Sequence, residues 1–287
     1  MCGVFKNRIK KNEFFNIFPQ FFCLQILRGN SPTVLIDLSG TIHVEDKEIN
    51  GSISALEKLR KSKINIKFVT NTTKESKRIL LQRLTGIGFS ISEDEIFTSL
   101  TAAHDTLKAR ELRPFLLIDN KALEDFMDLH EENPNCVVVG LAPDKFSYKF
   151  MNEAFKLLLT GAPLIAVHKS RYFKTKTGLA LGPGPFISGL EYSSGIKAEI
   201  IGKPSAEFFK SAVKEFKSEP KDCYMVGDDV RDDIGGSQAI GMKGLLVRSG
   251  KYRPGDENKI EPPPYNVVNN FSEAVEIILA ELKEASL

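Results

Sequence analysis

The chain has 287 residues, 42% apolar and 26% charged, with 39 Lys and Arg against 37 Asp and Glu for a formal net charge of +2. That balance argues against a nucleic-acid partner and a general membrane surface, and no apolar run approaches the roughly 18 residues a membrane span needs. Cys2, Cys23, Cys136 and Cys223 lack CxxC spacing, which reads as free thiols in a reducing compartment rather than a disulfide framework.

Residues 1–30 differ from the rest. They carry Lys6, Arg8, Lys10, Lys11 and Arg28 against one acid, Glu13, with five phenylalanines between Phe14 and Phe22. A basic, acid-poor extension fits a mitochondrial-type presequence, whereas the low Ser and Ala content and only two arginines argue against one; a disordered tail or an unusual gene start are the alternatives. The expected compartment is the cytoplasm, with mitochondrial targeting by this extension as the alternative.

From Thr33 strand and helix alternate. Val34–Asp37 and Asn65–Thr70 read as buried strands; Ile53–Lys61 and Glu75–Ile87 have helical spacing, the second stopping at Gly88. A second series follows: strands at 115–119, 137–141 and 163–168, helices at 123–129 and 148–159. The stretch 178–185, Gly-Leu-Ala-Leu-Gly-Pro-Gly-Pro, reads as a turn or inter-domain hinge. The first pattern then resumes with strands at 199–202, 223–227 and 244–248 and helices at 206–216, 232–240 and 272–282.

Short strand–helix–strand units predict an α/β fold with a doubly wound, parallel, Rossmann-like core sheet. Core residues 31–106 and 187–287 are expected to flank an inserted α/β cap domain at 107–186.

Four polar clusters fall where core strands are expected to end: Asp37 with Ser39, Thr70 with Asn71, Lys203, and Asp228 through Asp233. Each alone reads equally as a helix cap, a macrodipole charge or a solvated loop residue. In a parallel sheet such ends share one edge, so the four converge. The chemistry that fits is phosphoryl transfer through an aspartyl-phosphate. Asp37 would be the nucleophile, Thr70 would hold phosphate oxygens, and Lys203 would neutralise charge on the phosphoryl group and on Asp37. Asp228 would join Asp37 in holding Mg²⁺.

Asp37-Leu-Ser39-Gly40-Thr41, Phe68-Val-Thr70-Asn71, Gly202-Lys203-Pro204 and Gly227-Asp228-Asp229-x-x-x-Asp233 resemble the four motifs of the haloacid dehalogenase-like hydrolase superfamily, and the insertion resembles the cap of its NagD-like type IIA branch. The resemblance implies a Mg²⁺-dependent phosphatase acting on a small phosphorylated substrate. It implies Asp37 and Lys203 as catalytic residues and phosphate contacts from Ser39, Thr70, Asn71 and Lys203. The metal would be held by Asp37, the Ser39 backbone carbonyl and Asp228, with Asp233 supporting it directly or through water. By analogy, a homodimer would pair through the cap.

Ser39 departs from the pattern, which has an aspartate there that protonates the leaving group and then activates water. A hydroxyl cannot do this near neutral pH, and losing acid–base help costs about 10²- to 10⁴-fold. Easily departing groups suffer least: pyrophosphate, acyl phosphates and phosphoramidates. A non-catalytic protein that binds phosphate and Mg²⁺, or a partner, is the alternative reading. His43 is considered as a substitute acid or as a surface or supporting residue. His168, Lys169, Arg171, Tyr172 and Lys174 read either as an anion-reading cap loop or as a solvated one.

Overall fold

The computed structural model describes residues 32–62 and 64–284. The extension at 1–30, and with it the targeting and tail readings, lies outside these residues. Along the chain the strands are β1 (Thr33–Ile36), β2 (His43–Val44), β3 (Lys47–Glu48), β4 (Asn65–Thr70), β5 (Ile96–Thr98), β6 (Pro114–Leu117) and β7 (Cys136–Val139). They continue as β8 (Leu164–Ala166), β9 (Tyr172–Thr175), β10 (Gly178–Leu181), β11 (Glu199–Ile200), β12 (Cys223–Gly227), β13 (Lys243–Val247) and β14 (Asn266–Val268).

Six strands form a parallel sheet in the order β14-β13-β12-β1-β4-β5. Its interior strands are nearly continuous apolar runs because both faces are covered. Val34 and Ile36 pack with Leu56, Leu59, Leu80, Leu84 and Phe271 from the helices Ser52–Arg60, Lys77–Ile87 and Phe271–Glu284. Leu35, pointing the other way by the two-residue period, meets Met225, Phe208 and Phe209. Phe68, Phe208, Phe209 and Phe271 are fully buried, and each such side chain contributes about 1.5–3 kcal/mol of transfer free energy. Ser76 caps the helix Lys77–Ile87 by accepting from Ile79 N at 3.3 Å, and Gly88 ends it at φ 113°. Thr70 and Asn71 are therefore not that helix's cap.

The inserted cap is built on a second parallel sheet, β11-β8-β7-β6. One face carries Leu116, Val138 and Ile165 against Leu100, Leu107 and Phe126. The other carries Leu117, Val139 and Leu164 against Leu158, Ile187 and Leu190 from the helices Tyr148–Leu158 and Gly184–Ser194.

Three expectations fail. The strand at 199–202 was read as resuming the core, but β11 pairs with β8 of the cap. Two residues of strand carry too little pattern to say which sheet they join. The segment 178–185 is not simply a turn: Gly178–Leu181 pairs antiparallel with β9, and Gly184 opens a helix. Proline is tolerated in a first helical turn because its missing N–H is unneeded there. Gly182 is required by contact rather than by a hinge, since a Cβ there would lie 2.2 Å from Ser170 O. Finally, the expected helix at 232–240 begins as a π-turn, Val230–Gly235.

Two hairpins lie on the working edge. β2–β3 follows the Asp37 loop, and β9–β10 comes from the cap. Lys176 ties them together: its N–H donates to Glu45 Oε1 at 3.0 Å, and its Nζ is 2.9 Å from Oε2.

Candidate active site

β1, β4 and β12 lie side by side, so Asp37, Thr70 and Asp228 share one end of the sheet. Lys203 arrives differently, on the segment leaving β11 rather than from a core strand end. All four line a cavity of about 390 Å³ with Ser39, Asn71 and Asp233.

Asp37 is 6% exposed. Its Oδ1 accepts from Lys203 Nζ at 2.6 Å and its Oδ2 from Thr41 Oγ1 at 3.0 Å. Lys203 Nζ also donates to Val69 O at 3.1 Å and lies 2.7 Å from Asp233 Oδ1. Burial alone would push this ammonium down; Asp233 and Asp37 more than reverse it and hold it above its usual value. Lys203 is thus a fixed positive charge aimed at Asp37.

Asn71 was expected among the phosphate contacts. Its side-chain amide instead clasps the Lys203 backbone: Lys203 N donates to Oδ1 at 3.0 Å, and Nδ2 donates to Lys203 O at 2.9 Å. Gly202 permits this, since a Cβ there would fall 2.5 Å from Asn71 Oδ1. Thr70 Oγ1 accepts from Thr72 N at 3.1 Å, which leaves its own proton to donate. Ser39 is exposed to the cavity.

Asp228 Oδ2 accepts from Lys251 N at 2.8 Å, while Asp233 Oδ2 accepts from Asp229 N at 3.0 Å. Burial, opposed by Lys251 and helped by Asp37, raises the Asp228 carboxyl well above the usual range. Burial pushes Asp233 up to about 7, with Lys203 opposing. Asp229 is held down to about 2, where Lys251 and helix-start N–H groups outweigh burial. Of the four aspartates at 228–233, Asp228 and Asp233 face Asp37, while Asp229 caps the π-turn and pairs with Lys251 at 2.9 Å.

Oxygens of Asp37, Asp228 and Asp233 lie within 4.8 Å of one another. Asp233 Oδ1 is buried with no hydrogen bond. Three buried carboxylates whose oxygens converge are a donor set suited to a hard divalent cation. These residues fit such an ion and would hold it.

Several residues here escaped the sequence reading. Ser249 Oγ donates to Gly40 O at 2.6 Å. Gly40 (φ +95°) and Gly250 (φ +59°) flank Asp228, where a Cβ would lie 1.9 or 2.0 Å from its Oδ2. A directed string of hydrogen bonds stitches cap to core: Leu141 N to Thr73 Oγ1 (2.7 Å), Thr73 with His168 Nε2 (3.3 Å), His168 Nδ1 with Ser170 Oγ (3.2 Å), and Ser170 Oγ to Asp232 Oδ2 (2.5 Å). Of the expected cap cluster, His168, Tyr172 and Lys174 line the cavity, whereas Lys169 pairs with Glu191 at 2.5 Å and Arg171 lines a smaller pocket that adjoins it across Ser170, Tyr172 and Asp228. Burial, with Lys251 and Lys203 near, pushes His168 down to about 3, so it is a neutral link in the string and not an anion-reading charge.

Residues 34–133 match a family profile described as haloacid dehalogenase-like hydrolase, and residues 200–274 one described as HAD-hydrolase-like. The chain is 55% identical over 249 residues to haloacid dehalogenase-like hydrolase domain-containing protein 2 of Homo sapiens, covering 87% of this chain and 96% of that one. It is 42% identical over 252 residues to human phospholysine phosphohistidine inorganic pyrophosphate phosphatase, covering 86% and 93%. Among solved structures it resembles a 4-nitrophenylphosphatase from Thermotoga maritima (TM-score 0.79, 26% identity, covering 86% of this chain and 97% of that chain). A p-nitrophenyl phosphatase from Archaeoglobus fulgidus is similar too (TM-score 0.78, 27% identity, 87% and 100%). With its parallel core sheet, inserted cap and this relationship along nearly the whole described length, the chain belongs to the haloacid dehalogenase-like hydrolase family, in its NagD-like type IIA branch.

Proposed function

We propose that the protein is a Mg²⁺-dependent phosphatase working through an aspartyl-phosphate on Asp37. The observation that carries this is the 2.6 Å contact of Lys203 Nζ with Asp37 Oδ1 at a buried cluster of three carboxylates. Such an arrangement makes little sense for stability alone, because burying like charges is costly.

Lys203 orients Asp37 through the bond to its Oδ1, and its remaining charge faces the incoming phosphoryl group. Thr70 has a hydroxyl proton free for a phosphate oxygen. Asn71 acts through Lys203 by fixing the backbone on both sides of its amide. When bound by Asp37, Asp228, Asp233 and the Ser39 carbonyl, Mg²⁺ supplies the positive charge that lets an anionic nucleophile meet an anionic phosphate. The cap string and the Lys176–Glu45 contact join cap to core beside the cavity, whose volume suits a small substrate.

Ser39 shapes the substrate range. Without the acid, the barrier for a poor leaving group rises by about 3–5 kcal/mol. Phosphoramidates, acyl phosphates and pyrophosphate depart without that help, and a 42% identical relative carries phospholysine, phosphohistidine and pyrophosphate in its name. We assign the same classes here. The described residues contain no helix long and apolar enough to cross a membrane, and we place the protein in the cytoplasm. Exposed Tyr148, Leu159 and Tyr192 on the adjoining cap helices support a homodimer through the cap.

The test is phosphate release from pyrophosphate, acetyl phosphate and phosphoramidate by purified protein with Mg²⁺, wild type against Asp37→Asn. The variant should lose turnover while keeping its circular dichroism spectrum. Equal residual rates would remove Asp37 as the nucleophile, and no turnover by either protein would favour a binding protein.

A further inference from the structure

The catalytic end of the cavity is rich in carboxylates; the part that meets the cap is not. Lys74, Lys121 and Lys174 line it with Glu45, Asp46 and Glu75. Two of those acids are already paired. Glu45 takes the Lys176 N–H at 3.0 Å and its Nζ at 2.9 Å, and Glu75 takes Arg83 Nη2 at 2.5 Å. Among the described residues, none of the three lysines has a carboxylate or carbonyl bonded to its Nζ. Three lysines then face one remaining acid, Asp46.

Lys74 is the most closely held of them. It follows Thr73, whose Oγ1 accepts from Leu141 N at 2.7 Å, so the loop leaving β4 is anchored to the cap. Its Nζ stands 3.6 Å from the centroid of the Phe173 ring on β9. The ring face attracts the cation yet leaves its N–H donors without an oxygen. Burial pushes the ammonium down, opposed by Glu45 and Glu75. A cation partly withdrawn from water, steered by an aromatic face and lacking a bonded anion is one half of an ion pair. A latch between core and cap would need the stack alone, not two further lysines without partners along the same cavity.

We propose that Lys74 selects the leaving group, donating hydrogen bonds to a departing part that is anionic before the bond breaks. This rests on the phosphatase reading above and ranks the classes assigned there. Pyrophosphate carries charged oxygens on both phosphoryl groups. The departing parts of acetyl phosphate and phosphoramidate carry no negative charge until cleavage. The chain therefore favours pyrophosphate through binding. In the first step an Asp37 oxygen bonds to one phosphorus of hydrogen pyrophosphate as the bond from that phosphorus to the bridging oxygen breaks. The electron pair stays on the bridging oxygen, and hydrogen phosphate departs with the proton the substrate brought. The step asks for no proton from position 39.

Steady-state kinetics on the full chain with saturating Mg²⁺ compare pyrophosphate, acetyl phosphate and phosphoramidate. Wild type should show its lowest KM on pyrophosphate. Lys74→Gln should lower the ratio of kcat/KM on pyrophosphate to that on the other two by about tenfold, through KM, the scale of one charge-assisted hydrogen bond. Lys74→Arg should keep most of the ratio, and Lys74→Glu should lose more of it. An unchanged ratio in Lys74→Gln overturns the proposal. So do equal losses on all three substrates, which mark a structural latch. Calorimetry decides the point without turnover. Lys74→Gln should weaken binding of methylenediphosphonate, which cannot be cleaved, about tenfold more than binding of methylphosphonate; equal weakening overturns the proposal. If wild type turns over no substrate, or Asp37→Asn keeps wild-type rates, the phosphatase reading fails, and the calorimetry still judges Lys74.

Discussion

Lys203 Nζ and Asp233 Oδ1 are 2.7 Å apart, yet that oxygen has no partner in hydrogen-bonding geometry. The directed bonds of the ammonium go to Asp37 Oδ1 and Val69 O, so Asp233 is held by charge alone. One lysine thus compensates two buried carboxylates, with a directed bond to the nucleophile and its larger charge interaction with Asp233.

Lys203→Met follows directly. It leaves Asp37 and Asp233 buried without a cation, and breaking a buried pair costs about 3–5 kcal/mol. Urea unfolding without metal should show a lower midpoint at unchanged slope, and turnover should fall by at least about 10²-fold.

The convergence of Asp37, Asp228 and Asp233 oxygens bears on metal binding. Mg²⁺ that binds only the folded state stabilises it by about 2.7 kcal/mol at a hundred times the dissociation constant. Thermal melts should therefore rise with Mg²⁺ for wild type and stay flat for Asp228→Asn. A rise of equal size in the variant would exclude Asp228 from the site.

Ser39→Asp restores the absent acid. Aryl and alkyl phosphate hydrolysis should increase by about 10²- to 10⁴-fold, while rates on acetyl phosphate change far less. An equal gain on both would mean that leaving-group chemistry does not set the substrate range.

Gly250→Ala tests how Asp228 is placed. Its Cβ would meet Asp228 Oδ2 at 2.0 Å and Gly40 Cα at 2.5 Å, in a left-handed conformation. The expected outcome is loss of the Mg²⁺-dependent rise in melting temperature and of turnover, with global stability lowered by about 1 kcal/mol from the backbone alone.

Burial pushes the Cys136 and Cys223 thiols up to about 12. With Cys2 and Cys23 replaced by serine, a disulfide reagent at pH 8 should label neither until denaturant is added. Rapid labelling of the folded protein would contradict their burial.

The placement of Asp37, Thr70 and Asp228 was legible because each follows an apolar run long enough to be a covered strand, and parallel strands bring such ends together. Lys203 was legible as a residue but not in its route, since a two-residue strand cannot announce which sheet it joins. Lys251 and Gly250 were hidden: Arg248-Ser-Gly-Lys251 reads as an ordinary surface turn, and only the adjacency of β12 and β13 brings it onto Asp228. Asn71 shows a different limit. Residue type and position put it at the site, but which partner its amide takes depends on the approach of a segment over 130 residues away.

The central claim is that Asp37 becomes phosphorylated. Acid quench during turnover of acetyl phosphate with Mg²⁺, reduction with borohydride and peptide mass spectrometry read this directly, because an acyl phosphate is reduced to an alcohol whereas a free carboxylate is not. The account predicts homoserine at position 37 in the wild type and none in Asp37→Asn. Substrate turnover by wild type with Asp37 unmodified would contradict it.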